Sequence, residues 1–167
     1  MSDLEAMFTT RFSKEEMMEK VRRSPENLKE TIRIVTSSQE PQCWRAAWIL
    51  GHSFRKEKFM LDDYVDELIA AIEGKNDGHQ RELVRLLSTM KLNDDQEGRL
   101  FDICMTLWES MKKAPAVRIF AFRFIAKVVK KYPELKEEIT FLTQEHYLET
   151  LSPGIRKGVE KTMNTLL

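Results

Sequence analysis

One pattern constrains this chain more than any other. The motif Arg45-x-Ala47-Trp48-x-Leu50 returns as Arg81-x-Leu83-Val84-x-Leu86 and as Ile119-x-Ala121-Phe122-x-Phe124, and more faintly as Arg156-x-Gly158-Val159. The copies are spaced by 36, 38 and 37 residues. Each follows a second amphipathic stretch and a short breaker. A period in the high thirties with two helices per unit is the signature of stacked helical repeats, in which one unit cannot bury its apolar face alone and stacking supplies the core. The expected fold is therefore all-α: an α-α superhelix of about four antiparallel helix pairs over residues 24–167, behind an N-terminal capping helix within residues 1–23.

The organising copy is the run from Cys43 to His52. Helical spacing puts Trp44, Ala47, Trp48 and Ile49 or Leu50 on one apolar side, and the alanines there let another backbone come close. The three tryptophans, Trp44, Trp48 and Trp108, are expected in the core. Trp44, at the edge of the stripe beside Arg45, is the aromatic best placed to grip a ligand instead.

Helix starts are marked along the chain. Ser13 and Glu16 form a capping box. Ser24-Pro25 and Ser152-Pro153 combine a capping serine with a proline whose missing N–H costs nothing. Asp62 or Asp63 is expected to open a helix that Gly74 stops, and Asn93-Asp94-Asp95 opens the next. Residues 116–131 read as a strongly apolar helix ended by Pro133. A further helix is expected over Glu134–Glu149, and the last over Ile155–Leu167. No stretch has β-alternation of useful length.

The Trp-Arg-Ala-Ala-Trp-Ile-Leu-Gly run resembles the second helix of a HEAT or armadillo-like repeat. The Ser-Pro-Gly-Ile-Arg-Lys-Gly-Val-Glu-Lys run near the end is similar to a closing repeat. The resemblance spans residues 24–167 and implies a HEAT-like repeat domain there, with the second helix of each pair lining an inner surface. The alkylation-repair DNA glycosylases built from helical repeats also resemble this architecture. That likeness implies a basic concave surface with aromatic residues and a carboxylate. The inner-helix arginines and Trp44 fit it; the inner helices offer no recognisable acid.

Charge is balanced, with 27 Lys+Arg against 27 Asp+Glu, which argues against a strongly basic nucleic-acid binder. The balance hides a segregation: the four inner segments sum to +12 and the four outer ones to −11. Much of this complements helix dipoles at the helix ends. The mid-helix cations remain, and with the edge tryptophan they define the candidate binding surface: Trp44, Arg45, Arg81, Arg85, Arg118, Arg123, Lys127 and Arg156. Lys157 belongs to the same mid-helix set.

No catalytic motif is present: no Gly-rich phosphate loop and no nucleophile elbow. His52, His79 and His146 stand in no His-x-x-x-His spacing, and Cys43 and Cys104 make no Cys-x-x-Cys pair, so neither a metal site nor a cofactor is expected. The cysteines sit in apolar helical patterns, as in a reducing compartment. The start carries no secretory signal and no window approaches a membrane span, so the expectation is a soluble cytoplasmic protein. The functional expectation is a non-enzymatic scaffold that binds a protein or peptide on its concave face. The alternative is nucleic-acid binding, in the manner of DNA alkylation repair, through the basic surface. An accessory or regulatory subunit of an enzyme is a third expectation, which the residues do not separate from the first.

Overall fold

The structure, a computed structural model, describes residues 2–38 and 40–166. Met1, Gln39 and Leu167 lie outside the described residues, so the outermost residues of the expected 1–23 cap and of the last helix, and the middle of the break at 37–41, are not described. Among the described residues there are helices and no strands. The chain divides after Gln96 into two compact units.

Unit 1 begins with α1 (Asp3–Met7), α2 (Lys14–Arg22), α3 (Pro25–Thr36) and α4 (Gln42–Ser53). A run of 3-10 turns over Lys58–Tyr64 leads into α5 (Val65–Ala70), and α6 (Asp77–Leu87) follows. Capping writes most of these starts. Ser2 with Glu5, and Ser13 with Glu16, each satisfy two orphan backbone donors reciprocally. Ser24 caps α3 ahead of Pro25, and the Asn76 side chain accepts from the His79 N–H at the start of α6. Gly74, at φ +70°, makes the turn after α5 in the left-handed region that glycine tolerates.

Within unit 1, α4 packs against α2, α3 and α6, while α3 packs against α1, α2, α4 and α5. One layer is thus α1, α3 and α5, and the other α2, α4 and α6. The segment ahead of α3 carries a whole helix pair. Its first member hides in residues of weak periodicity, but Leu4, Met7 and Phe8 are buried at helical spacing. The face of α4 turned inward is Cys43, Ala46, Ala47, Ile49 and Leu50. Trp44 and Trp48 stand half-buried on its flank rather than in the core.

Unit 2 holds most of α7 (Asp94–Glu109), α8 (Pro115–Lys131), α9 (Glu145–Leu148) and α10 (Pro153–Leu166). Asn93 and Gln96 cap the start of α7 reciprocally, and Pro115 and Pro153 open their helices. The expected α-helix over 134–149 is instead a run of 3-10 turns over Pro133–Thr143 followed by the single turn of α9. Only Ile139 and Leu142 of that run are buried. A repeat of three residues per turn sets that pair on one edge. Trp108 is the largest fully buried side chain, with its ring centroid 4.9 Å from that of Phe122 and its indole N–H donating to the Leu142 carbonyl at 3.1 Å.

Candidate functional site

The inner helices share one device. Arg45, Gln80, Arg118 and Arg156 each stand fourth in α4, α6, α8 and α10. Arg45 donates to the Phe8 carbonyl at 2.8 Å and Gln80 to the Ile72 carbonyl at 2.9 Å. Arg118 donates to the Trp108 carbonyl at 2.9 Å, the Tyr147 carbonyl at 2.7 Å and Thr150 Oγ1 at 2.8 Å. The four carbonyls, of Phe8, Ile72, Trp108 and Tyr147, lie at or just past the close of a helix, where carbonyls lack helical partners. Arg156 instead reaches carboxylates, Glu145 at 2.7 Å and Glu160 at 3.1 Å, and those pairings hold its guanidinium more firmly protonated. The fourth position is therefore a tie between elements, and its cations are spent within the fold.

This corrects one expected surface residue. Arg118 is fully buried, with its guanidinium 4.7 Å from the Trp108 ring centroid. Burial pulls its pKa down, against a smaller opposing pull from Tyr147. A long cation can be buried when its fork is satisfied, and three acceptors do that here. Arg118 belongs to the interior of unit 2 and cannot meet a ligand.

Among the described residues, a groove lies between consecutive inner helices in each unit. In unit 1, Gly51, His52, Arg55, Lys58, Arg85, Leu86 and Thr89 line a groove of about 270 Å³ beside α4 and α6. Lys14 stands 5.5 Å from the centroid of the Trp48 ring, which meets His52 edge-on at 4.9 Å. Burial holds the His52 imidazole below its ordinary range, and Lys14, Arg85 and Arg55 add to this, while Glu82 opposes. The ring is therefore neutral at pH 7 and the surrounding charge is cationic. Buried Glu82 anchors the wall: its Oε1 accepts from Arg81 at 2.8 Å, and its Oε2 forms an ion pair with Arg85 at 2.6 Å.

In unit 2, Ile119, Phe122, Arg123 and Ala126 of α8 face Gly154, Ile155, Gly158, Val159 and Thr162 of α10 across a groove of about 450 Å³. Ile155 is exposed. Nothing lies within 4 Å of where a side chain would begin on Gly154 or Gly158. Arg123 is exposed and lies 5.3 Å from the Phe120 ring centroid. Lys127, also exposed, lies 6.0 Å from that of Phe124.

A third group of chemistry-bearing side chains sits where the α3–α4 connection meets the start of α6. Among the described residues, one ligand atom each from Glu40, Cys43 and His79 lie within 4.8 Å of one another. Cys43 and His79 are fully buried and Glu40 is exposed. Burial pushes the Cys43 thiol up to about 11, with the Glu40 carboxylate helping and Lys75 opposing. Burial pulls His79 down to about 4, aided by Lys75, while the Val35 carbonyl favours the protonated ring. Cys104, in unit 2, is a second buried free thiol, which burial also raises.

Of the residues expected on a binding surface, Trp44, Arg45, Arg81 and Arg85 lie in unit 1, and Arg118, Arg123, Lys127 and Arg156 in unit 2. Only Arg85 and Arg123 line the two grooves. The residues missed were Trp48, His52, Arg55, Lys58 and Lys14 in unit 1, and Ile155 and the α10 glycines in unit 2. A mid-helix glycine near a basic or apolar face was the available signal for Gly51 and Gly158.

Among the described residues no helix is long and apolar enough to cross a membrane. No curated protein and no solved structure matches the chain. The HEAT repeat domain, however, matches it over residues 4–166, and by that match the chain belongs to the HEAT repeat family.

Proposed function

We propose that this chain is a non-enzymatic scaffold that holds an amphipathic, acidic-flanked segment of a partner protein in the groove between α8 and α10. The observation that carries this reading is the groove itself. Its walls are Ile119, Phe122, Ile155 and Val159, its rim bears Arg123, and its α10 side is opened by two helical glycines. An apolar trough of this size beside a cation suits one or two large apolar side chains with a carboxylate nearby. Gly158, in the middle of α10, costs helix stability, and with Gly154 in the first turn it leaves room for a partner backbone. Membership of the HEAT repeat family supports a scaffold role.

The test is a display library of short random peptides, panned on the full chain with Gly158→Leu as the counter-target. Leucine has open space to enter, so the variant folds and fills the trough. Enriched peptides with apolar residues at helical spacing and acidic flanks, lost on the variant, support the reading. Peptides that bind both proteins equally reject it.

A second reading rests on the unit 1 groove. Lys14, Arg55, Lys58 and Arg85 around Trp48 and His52 suit a polyanion such as a nucleic-acid backbone. Binding of single- and double-stranded oligonucleotides, titrated with salt, tests it. A slope of log K against log salt equivalent to several phosphate contacts supports it, and no binding at low salt removes it.

A further inference from the structure

We propose that Glu40, Cys43 and His79 bind a divalent zinc-type metal ion where the α3–α4 connection meets the start of α6. The first argument is placement. Their donor atoms lie within 4.8 Å of one another. Zinc bonds of about 2.0–2.3 Å in tetrahedral geometry place donors about 3.5 Å apart. Closing the difference takes about an ångström of side-chain rotation. Glu40 is exposed and can swing in, with its Oε1 steadied by the Asn76 amide N–H at 2.6 Å.

The second argument is the state of His79. Its side chain is fully buried, and neither ring nitrogen has a hydrogen-bond partner of regular geometry. A buried imidazole normally has both nitrogens engaged, because burying an unsatisfied polar atom is unfavourable. A metal on one nitrogen, with the Val35 carbonyl turning the tautomer through the other, would satisfy both.

The third argument is the donor set. A thiolate, an imidazole and a carboxylate are the mixture that selects zinc over magnesium or calcium. On binding, the Cys43 S–H bond breaks, its proton leaves to solvent and the thiolate pair forms the metal–sulfur bond. Thiolate and carboxylate then neutralise the ion. The neighbouring Lys75 ammonium, donating to the Thr36 carbonyl at 3.2 Å and also to that of Ser37, faces a site without net charge. The three protein ligands leave a fourth position for water. The ion would clip together the connections of two successive helix pairs, adding to the Lys75 and Asn76 bonds that already cross there.

The experiment uses the full chain, stripped with a chelator and titrated with Co(II) as a spectroscopic stand-in and with Zn(II). The expected result is one equivalent of Co(II) giving a thiolate-to-cobalt charge-transfer band and the strong visible bands of a tetrahedral site, displaced by Zn(II). Zn(II) also raises the melting temperature by several degrees. Cys43→Ser abolishes the charge-transfer band and Cys104→Ser keeps it. Glu40→Gln, at an exposed position, keeps the fold and loses at least tenfold in affinity. The proposal is overturned by a folded wild type with no band and no thermal shift, by a band that survives Cys43→Ser, or by unchanged affinity in Glu40→Gln.

Discussion

The groove of unit 1 and the groove of unit 2 share a backbone plan and differ in what stands on it. Each opens between consecutive inner helices, and each is lined by helical glycine: Gly51 in the first, Gly154 and Gly158 in the second. The first is ringed by His52, Arg55, Lys58 and Arg85; the second is walled by Ile119, Phe122, Ile155 and Val159. The polar ties between elements come from other residues. Gln80 ties α6 to the Ile72 carbonyl and Arg118 ties α8 to the Trp108 carbonyl, each from the fourth helical position. The ties and the groove cations are thus written in different residues of the same helix, while Leu86, Phe122 and Val159 serve both the core and a groove.

That separation is tested hardest at the ties. Arg118→Ala removes three charge-assisted bonds and leaves the Trp108 and Tyr147 carbonyls without their donor. It is expected to cost about 3–4 kcal/mol, whereas Arg45→Ala, which loses a single bond to the Phe8 carbonyl, should cost about 1 kcal/mol. Urea denaturation followed by circular dichroism measures both. Equal costs would mean that the buried and half-buried ties are equivalent and that Arg118 is not the keystone of unit 2.

The grooves give the next contrast. Gly158→Leu should weaken an apolar, acid-flanked peptide by at least tenfold, about 1.4 kcal/mol, and leave oligonucleotide binding unchanged. Gly51→Leu should do the reverse. Titrations of both variants with both ligands decide it. A single variant that abolishes both activities would merge the grooves into one site.

How much of this was legible follows from how local each signal is. Helix starts at Ser13, Ser24, Pro115 and Pro153 were readable, because capping involves residues three or four apart. The all-α repeat was readable from apolar spacing. The register within it was not: a gapless superposition aligns Arg45 with Arg81 and Ile119, whereas the helix starts align it with Gln80 and Arg118. Apolar character also misassigned the flank of α4, because at 100° per residue Trp44 and Trp48 lie close to the buried stripe without entering it. The spacing of Leu135, Ile139 and Leu142 reads as an α-helix as easily as it reads as 3-10 turns. A charge pattern could not show that Arg118 is buried, since only the partners Trp108, Tyr147 and Thr150 make burial tolerable. Glu40, Cys43 and His79 come together only once two connections of the chain are adjacent.

A finer test lies in the salt dependence. Arg55 is exposed beside His52, and Arg55→Gln is expected to change stability by less than about 0.5 kcal/mol. If the unit 1 groove binds a polyanion through phosphates, the slope of log K against log salt should fall by about one contact. Peptide binding in the unit 2 groove should keep its slope. A variant that weakens the oligonucleotide without altering the slope would point to lost shape rather than lost charge.

The glycines give the most direct reading of why the grooves exist. Gly51 and Gly158 lie inside helices, and nothing approaches within 4 Å of the position a Cβ would take at either. Neither backbone has a positive φ. Alanine at each should therefore stabilise the chain by about 0.5–1 kcal/mol, the ordinary helix-propensity difference. Melting curves measure this in the single and double variants. Gains at both positions would mean that the fold has no need of glycine there, which leaves the open floor of each groove as the property the glycines provide. A loss at Gly158 with a gain at Gly51 would instead tie the α10 glycine to packing, and would set the two grooves apart in origin as well as in chemistry.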